Sequence, residues 1–355
     1  MPSADVRWVE QLAAWAIPPE ILAAAPEPPW GFPPAIFGAC ATDEAADTPS
    51  RRRALEALPE GGTVLDVGSG GGVASLPLCP PARRVLAVDE SAELLADLSG
   101  AAEGRGVDHV EVLGRWPDVA AAVPAADVVV CHHVFYNVPD LVPFVLALTT
   151  HARRRVVVEL TDRHPRTADA PLWRLFHGIE RPTGPTADDA VAVLEEAGLT
   201  VGVERFTAPP RPGVGPDQWV AFVRKRLCLP PDRDPEIAAL LDAGAAEPDT
   251  RANTTLWWDG SALAASGLRG RQRGLPIGEA GRERRRRGVP QPPEGCPSVA
   301  PAWRSSSRSG SRSAGAAATT EPDSGTGPSR PSTRAPASVA TTRPAARSHG
   351  CRPAS

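Results

Sequence analysis

The chain has 355 residues, with 38 Lys and Arg against 42 Asp and Glu and a formal net charge of −4. That near-neutral total is a cancellation: residues 1–260 carry 22 basic and 37 acidic side chains, a net of −15, whereas residues 261–355 carry 16 and 5, a net of +11. No apolar run reaches the roughly 18 residues that a membrane span needs, and the start MPSADVRWVEQL has neither the basic nor the apolar region of a secretory signal, so a soluble, cytoplasmic protein is expected.

Residues 1–50 read as a helical, proline-punctuated cap in which Trp8, Leu12 and Trp15 share a helix face, and Trp30, Phe32 and Phe37 are candidates for a lid. From Thr63 onward, apolar β-branched runs alternate with helical stretches, the pattern of βαβ units on a mostly parallel sheet. The strands are expected at Thr63–Val67, Arg84–Val88, His109–Leu113, Asp127–Cys131 and Arg155–Leu160, each an uninterrupted Val/Leu-type run suited to a sheet covered on both faces. Helices are expected from Val73, over Ser91–Leu98 and over Asp140–Ala152. A helix Ala187–Ala197, a strand Thr200–Thr207, an amphipathic helix carrying Trp219, Phe222, Val223 and Leu227, a short helix Pro235–Leu241 and a strand Thr254–Trp258 complete a domain spanning 51–260. Beyond it, RERRRRG and WRSSSRSGSRS are low-complexity and offer little to bury, so 261–355 is expected to be a disordered basic tail. The six cysteines stand singly, without metal-ligand spacing, so no metal site or disulfide framework is expected.

The most informative stretch is VLDVGSGGG, Val64–Gly72. A strand ends in Asp66 and the chain turns through Gly68, Ser69, Gly70, Gly71 and Gly72, where glycines allow positive φ and a close approach of ligand to backbone. A second carboxylate, Asp89, followed by Glu90, closes the next strand about 20 residues later, a spacing at which it can accept ribose hydroxyls. Dinucleotide-binding folds share that much. Asp66, however, lies two residues before Gly68, where a pyrophosphate would meet an adverse charge, and it suits a ligand with an ammonium group and no phosphate.

These stretches, with Val110–Asp118 and Ala126–Asp140, resemble the class I S-adenosylmethionine-dependent methyltransferases over roughly residues 50–260. The resemblance implies a Rossmann-like α/β fold with a seven-stranded sheet, one strand of it antiparallel, for which Thr254–Trp258 is the candidate. It implies S-adenosylmethionine as cofactor, its methionine part near Asp66, Gly68, Ser69, Gly70 and Gly71, its ribose on Asp89 and Glu90, and its adenine against the loop Gly114–Asp118. Arg115 departs from the acidic residue common in relatives, and Trp116 is a candidate to stack on adenine. The fourth strand delivers Cys131, His132 and His133 to the cofactor's edge, ahead of an N-V-P-D-L turn at Asn137–Leu141 of the kind found in small-molecule methyltransferases.

Methyl transfer is an in-line displacement on an activated carbon, so alignment and, for a protonated nucleophile, a base are what the protein must supply. His133 is the candidate base and Tyr136, the only tyrosine, a candidate site residue. Trp173, Phe176 and His177 are candidates for a substrate wall, with His164 and Glu159 as weaker acid or base candidates. The expected acceptor is a small molecule. A cofactor-fold binding protein without turnover is the rival from another class, and a nucleic-acid acceptor fits poorly with a domain of charge −15.

Overall fold

A computed structural model of the protein describes residues 2–30, 47–208, 215–246 and 252–260; the expected lid residues Phe32 and Phe37 and the whole of 261–355 lie outside them. The expected strands all form, as β1 (Thr63–Val67), β2 (Arg84–Asp89), β3 (Asp108–Leu113), β4 (Ala126–His132), β5 (Ala152–Thr161), β6 (Gly202–Thr207) and β7 (Ala252–Asp259). They make one seven-stranded sheet in the order β3-β2-β1-β4-β5-β7-β6. Neighbours from β3 through β5 pair parallel, and β7 runs antiparallel to both β5 and β6. The strand order therefore reverses between β1 and β4, and the crevice at such a switch point, outside the carboxyl ends of the strands, is where an open α/β sheet binds its ligand.

The helices are α1 (Ala4–Ala13), α2 (Pro19–Ala24), α3 (Pro49–Ala57), α4 (Ala92–Glu103), α5 (Leu141–His151), α6 (Ala170–His177), α7 (Ala187–Glu196), α8 (Pro216–Arg226) and α9 (Asp234–Asp242). Their starts follow local chemistry. Thr48 and Ser91 accept amide hydrogens of the first turns of α3 and α4, and Thr186 with Asp189 forms a reciprocal capping box on α7. On one sheet face α1, α5 and α7 bury Trp8, Phe144, Leu148 and Leu194 against Leu65, Val129, Val158 and Trp258. On the other, α3 covers Val64, Val130 and Val157 while α4 covers Val85 and Ala87. Trp8 is fully buried and its indole N–H donates to the Val138 carbonyl at 2.9 Å, which ties the N-terminal helix to the loop after β4.

Four expectations need correction. No α-helix follows the glycine turn: residues 70–75 continue as turns into a single 3-10 turn, Leu76–Leu78, because Pro77, Pro80 and Pro81 remove amide donors that a helix would use before the chain re-enters the sheet at Arg84. The edge strand β3 is not covered on both faces but is made of half-buried and exposed positions only. Trp15 lies beyond the end of α1 and stacks on His164 at 4.1 Å. The expected substrate wall is a packed helix: Trp173 is buried with Leu172, Val223 and Ile237, and the His177 ring bonds the Leu227 carbonyl at 2.7 Å.

Candidate functional site

The glycine turn is stitched to β2 by its own amides. Gly68 and Ser69 donate to the Val88 carbonyl at 2.8 and 3.1 Å, Gly70 donates to Asp89 Oδ2 at 2.9 Å, and Gly72 donates to the Ser69 carbonyl at 2.9 Å. Gly68 adopts φ +71°, and a Cβ there would stand 2.4 Å from Val134 Cγ2 of the loop after β4. At Gly70, with φ +49°, the space where a side chain would project is open. Gly71 is buried in the same turn. With these amides bonded to the protein, the turn offers an anion little. A cradle for phosphate needs free amides pointing at the ligand.

What the turn does present is negative charge. Asp66 is fully buried at the end of β1, and among the described residues neither carboxylate oxygen has a hydrogen-bond partner. Burial, reinforced by repulsion from Asp89 and only partly opposed by nearby Ser75, pushes its pKa up to about 7. The hydroxyls of Ser69 and Ser75 and the Nε2 of His132 are likewise buried without partners. Buried polar atoms in folded proteins are nearly always bonded, so this group of orphans around one turn has bonding capacity that a polar ligand would fill. An ammonium group fits Asp66: it carries the donors and the charge that the carboxylate lacks. Asp89 has a double duty the sequence did not reveal. Its Oδ1 accepts the Ser91 amide at 2.9 Å while its Oδ2 holds Gly70, which leaves the remaining lone pairs for hydroxyl groups. Glu90 and Arg115 are exposed beside it and pair at 3.7 Å, so the departure at Arg115 has a surface partner.

At the ends of β4 and β5 a second polar group forms. The register opposes His132 to Glu159 and Glu159 to Thr255. Glu159 Oε2 accepts from Ser50 Oγ of α3, Oε1 accepts from Asn253 Nδ2 at 3.2 Å, and Ser50 Oγ lies 2.7 Å from Thr255 Oγ1. His133 is half-buried, holds a left-handed φ of +59°, donates its backbone N–H to the Glu159 carbonyl at 2.6 Å and sets its ring Nε2 3.4 Å from Glu159 Oε1. A non-glycine residue in that region carries strain, which folded structures tolerate where neighbours hold it and which is concentrated at functional sites. Burial works against the Glu159 charge, yet the His133 contact, the nearby His132 and the Ser50 hydroxyl outweigh it and hold the pKa down to about 2. Burial also holds His132 down to about 4, so it is neutral at physiological pH.

Three expected site residues turn away from the crevice. Tyr136 is buried under α1, stacked on Trp8 at 5.8 Å, and its hydroxyl donates to the Thr161 carbonyl at 2.7 Å, which ties the loop after β4 to the end of β5; burial raises its pKa above the usual value. Cys131 points to the opposite face of β4 from His132 and is fully buried in the main core. Trp116 is also in that core, its ring edge-on to His151 at 4.9 Å, rather than open to a stacking partner. Conversely, Ser50 and Asn253 join the site from segments that carry no motif.

A family model described as a methyltransferase domain matches residues 65–155. No curated protein matches. Among solved structures, the YcgJ protein of Bacillus subtilis is 16% identical, with 59% of this chain and 97% of that one covered and a TM-score of 0.40. The magnesium protoporphyrin IX methyltransferase of Synechocystis PCC 6803, solved with bound SAH, is 19% identical over 41% of this chain and 68% of that one, at a TM-score of 0.33. An rRNA methylase from Streptococcus thermophilus is 11% identical, covering 59% and 93%, at 0.34. The stretch matched by the methyltransferase-domain model, residues 65–155, runs from β1 to the start of β5 of the seven-stranded, Rossmann-like sheet.

Proposed function

We propose that the protein is an S-adenosylmethionine-dependent methyltransferase that acts on a small molecule, with residues 51–260 as the catalytic domain and 1–50 as its cap. The observation that carries this reading is the buried, unbonded carboxylate of Asp66 beneath a glycine turn whose amides are already engaged. When bound, the cofactor supplies a methyl group on a positively charged sulfur, which leaves readily.

The chain's own residues then have distinct tasks. Asp66 accepts the ammonium group, Asp89 accepts hydroxyl hydrogens while it pins Gly70, and open space at Gly70 lets the ligand approach the backbone. His133 is the candidate base at the edge of β4. With Glu159 accepting from Nε2–H, the unprotonated Nδ1 is the atom that takes a proton from the acceptor's nucleophile. Glu159 is a positioning residue: it fixes the ring's tautomer and stabilises the imidazolium that forms, and Ser50 and Asn253 hold Glu159 in turn. A small acceptor suits the negative charge of residues 1–260, which disfavours a nucleic-acid backbone.

The test is transfer of label. Full-length protein incubated with methyl-labelled cofactor and a metabolite extract should place label in the low-molecular-mass fraction. Label found only in added RNA or protein would overturn the small-molecule reading. No transfer to any fraction, with cofactor bound, would favour a binding protein.

A further inference from the structure

Beyond β5 the chain builds a second apolar core from Ile17, Leu172, Trp173, Val223, Leu227 and Ile237. Three guanidinium groups gather between that core and the loop that leaves the sheet. Arg226 Nε lies 3.1 Å from Asp169 Oδ2, and its Nη2 donates to the Pro165 carbonyl at 3.1 Å. Arg181 is buried against the rings of Trp173 at 4.7 Å and Trp15 at 5.2 Å; it donates to the carbonyls of Trp15 at 2.6 Å and Ala16 at 3.3 Å, and its Nε has no partner among the described residues. Arg166 is half-buried, lies over the exposed ring of Trp30 at 5.8 Å, and makes no ion pair among the described residues. His164 adds no charge, because burial against Trp15 holds it down to about 3.

Arg226 and Arg166 thus share one carboxylate, Asp169, and Arg181 adds a third positive charge beside them with no carboxylate partner among the described residues. Positive charge at reduced dielectric is costly unless an anion offsets it. Burial, followed by repulsion from Arg226, draws even the Arg166 guanidinium down to about 10. The cluster's place gives the surplus a use. Arg166 lies five residues beyond the carboxyl end of β5, the same end of the sheet at which β4 delivers His133, so it stands at the end of the sheet where the crevice opens. Within a region of net charge −15, an anionic small molecule would be repelled without such a local reversal of sign.

We propose that Arg166, backed by Arg226 and Arg181, clamps an oxyanion of the methyl acceptor, with Trp30 against the acceptor's apolar body. The ligand class is then a small organic acid, carboxylate or phosphate. This rests on the methyltransferase reading for the identity of the ligand as acceptor, but not for anion binding itself.

Calorimetry on the full chain with benzoate, phenyl phosphate and neutral benzamide tests it. Benzoate or phenyl phosphate should bind where benzamide does not, and the stronger of the two identifies the anion. Arg166→Gln should weaken that binding by at least about tenfold, the loss expected for one charged hydrogen bond, and Arg166→Lys by less. S-adenosylhomocysteine affinity should be unchanged in both variants. The melting temperature of ligand-free Arg166→Gln should equal or exceed that of the wild type, since a repelled charge is removed. Equal binding of benzoate and benzamide, or benzoate binding untouched by either substitution, would overturn the clamp. Benzoate binding that depends on Arg166 in a protein that fails to bind S-adenosylhomocysteine would uphold the clamp and sink the methyltransferase reading instead.

Discussion

At the scale of single residues, the proposed reading separates groups that bind from groups that react. His133 is held in a left-handed backbone conformation by its amide bond to the Glu159 carbonyl and by the ring contact at 3.4 Å. His133→Ala should lower kcat by about 100-fold or more, the usual contribution of a positioned base, while S-adenosylhomocysteine affinity stays near wild type. Glu159→Gln keeps the side chain's size and loses its charge; kcat should fall with little change in the cofactor's KM, as steady-state rates would record. An equal loss of cofactor affinity in both variants would mean that the pair serves binding rather than proton transfer. Motif reading singled out His133 as the candidate base and placed Tyr136 and Cys131 beside it. Those two were misread because the face a side chain takes depends on partners distant in sequence. Trp8 of α1, brought onto the loop after β4, buries Tyr136, and the alternation of β4 sends Cys131 away from His132.

At the scale of elements, the glycine turn is fixed by contact with the loop after β4 as much as by its own conformational freedom. Gly68→Ala would place a methyl group 2.4 Å from Val134 Cγ2 at a φ of +71°. The substitution should lower the melting temperature and cofactor affinity together. Pairing it with Val134→Ala should restore part of both, the part due to the clash, and leave the part due to backbone strain; no restoration would mean that the clash is unimportant. The strands were legible because Val-rich runs bounded by Gly, Pro and Asp admit few alternatives. The missing helix after the turn was not: Val73–Leu78 has acceptable helix formers, and the nearby prolines decide against them. Nor was the support of Glu159 legible, since Ser50 and Asn253 stand 109 and 94 residues from it and meet it only through α3 and the β5-β7 pairing.

At the scale of the whole molecule, the buried titrating groups set opposing pH dependences. His132 at about 4 and His164 at about 3 lie below the ordinary histidine value of 6.5, so the unfolded chain binds protons that the folded one refuses, and stability falls as pH drops below 6.5. Asp66, raised from 3.8 to about 7, acts in the other direction: the folded protein keeps its proton, and stability falls as pH rises from about 4 to about 7. Between pH 6.5 and 4 the two histidines outweigh the one aspartate, so thermal melts should show net loss on acidification. Asp66→Asn should steepen that loss and, at pH 8, raise the ligand-free melting temperature by removing a buried unpaired charge. His164→Phe should flatten it. A pH profile identical in all three proteins would contradict the placement of these groups.

The claim on which the rest depends is that Asp66 waits for a cation. Calorimetric titration of S-adenosylhomocysteine into wild type and Asp66→Asn at pH 6 and pH 8, each in buffers of different ionisation enthalpy, tests it most directly. The account predicts tighter wild-type binding at pH 8, release of a proton on binding at pH 6 that is much smaller at pH 8, and affinity at least about tenfold weaker in Asp66→Asn at pH 8. Equal affinity in the two proteins, with no pH-dependent proton release in the wild type, would contradict it.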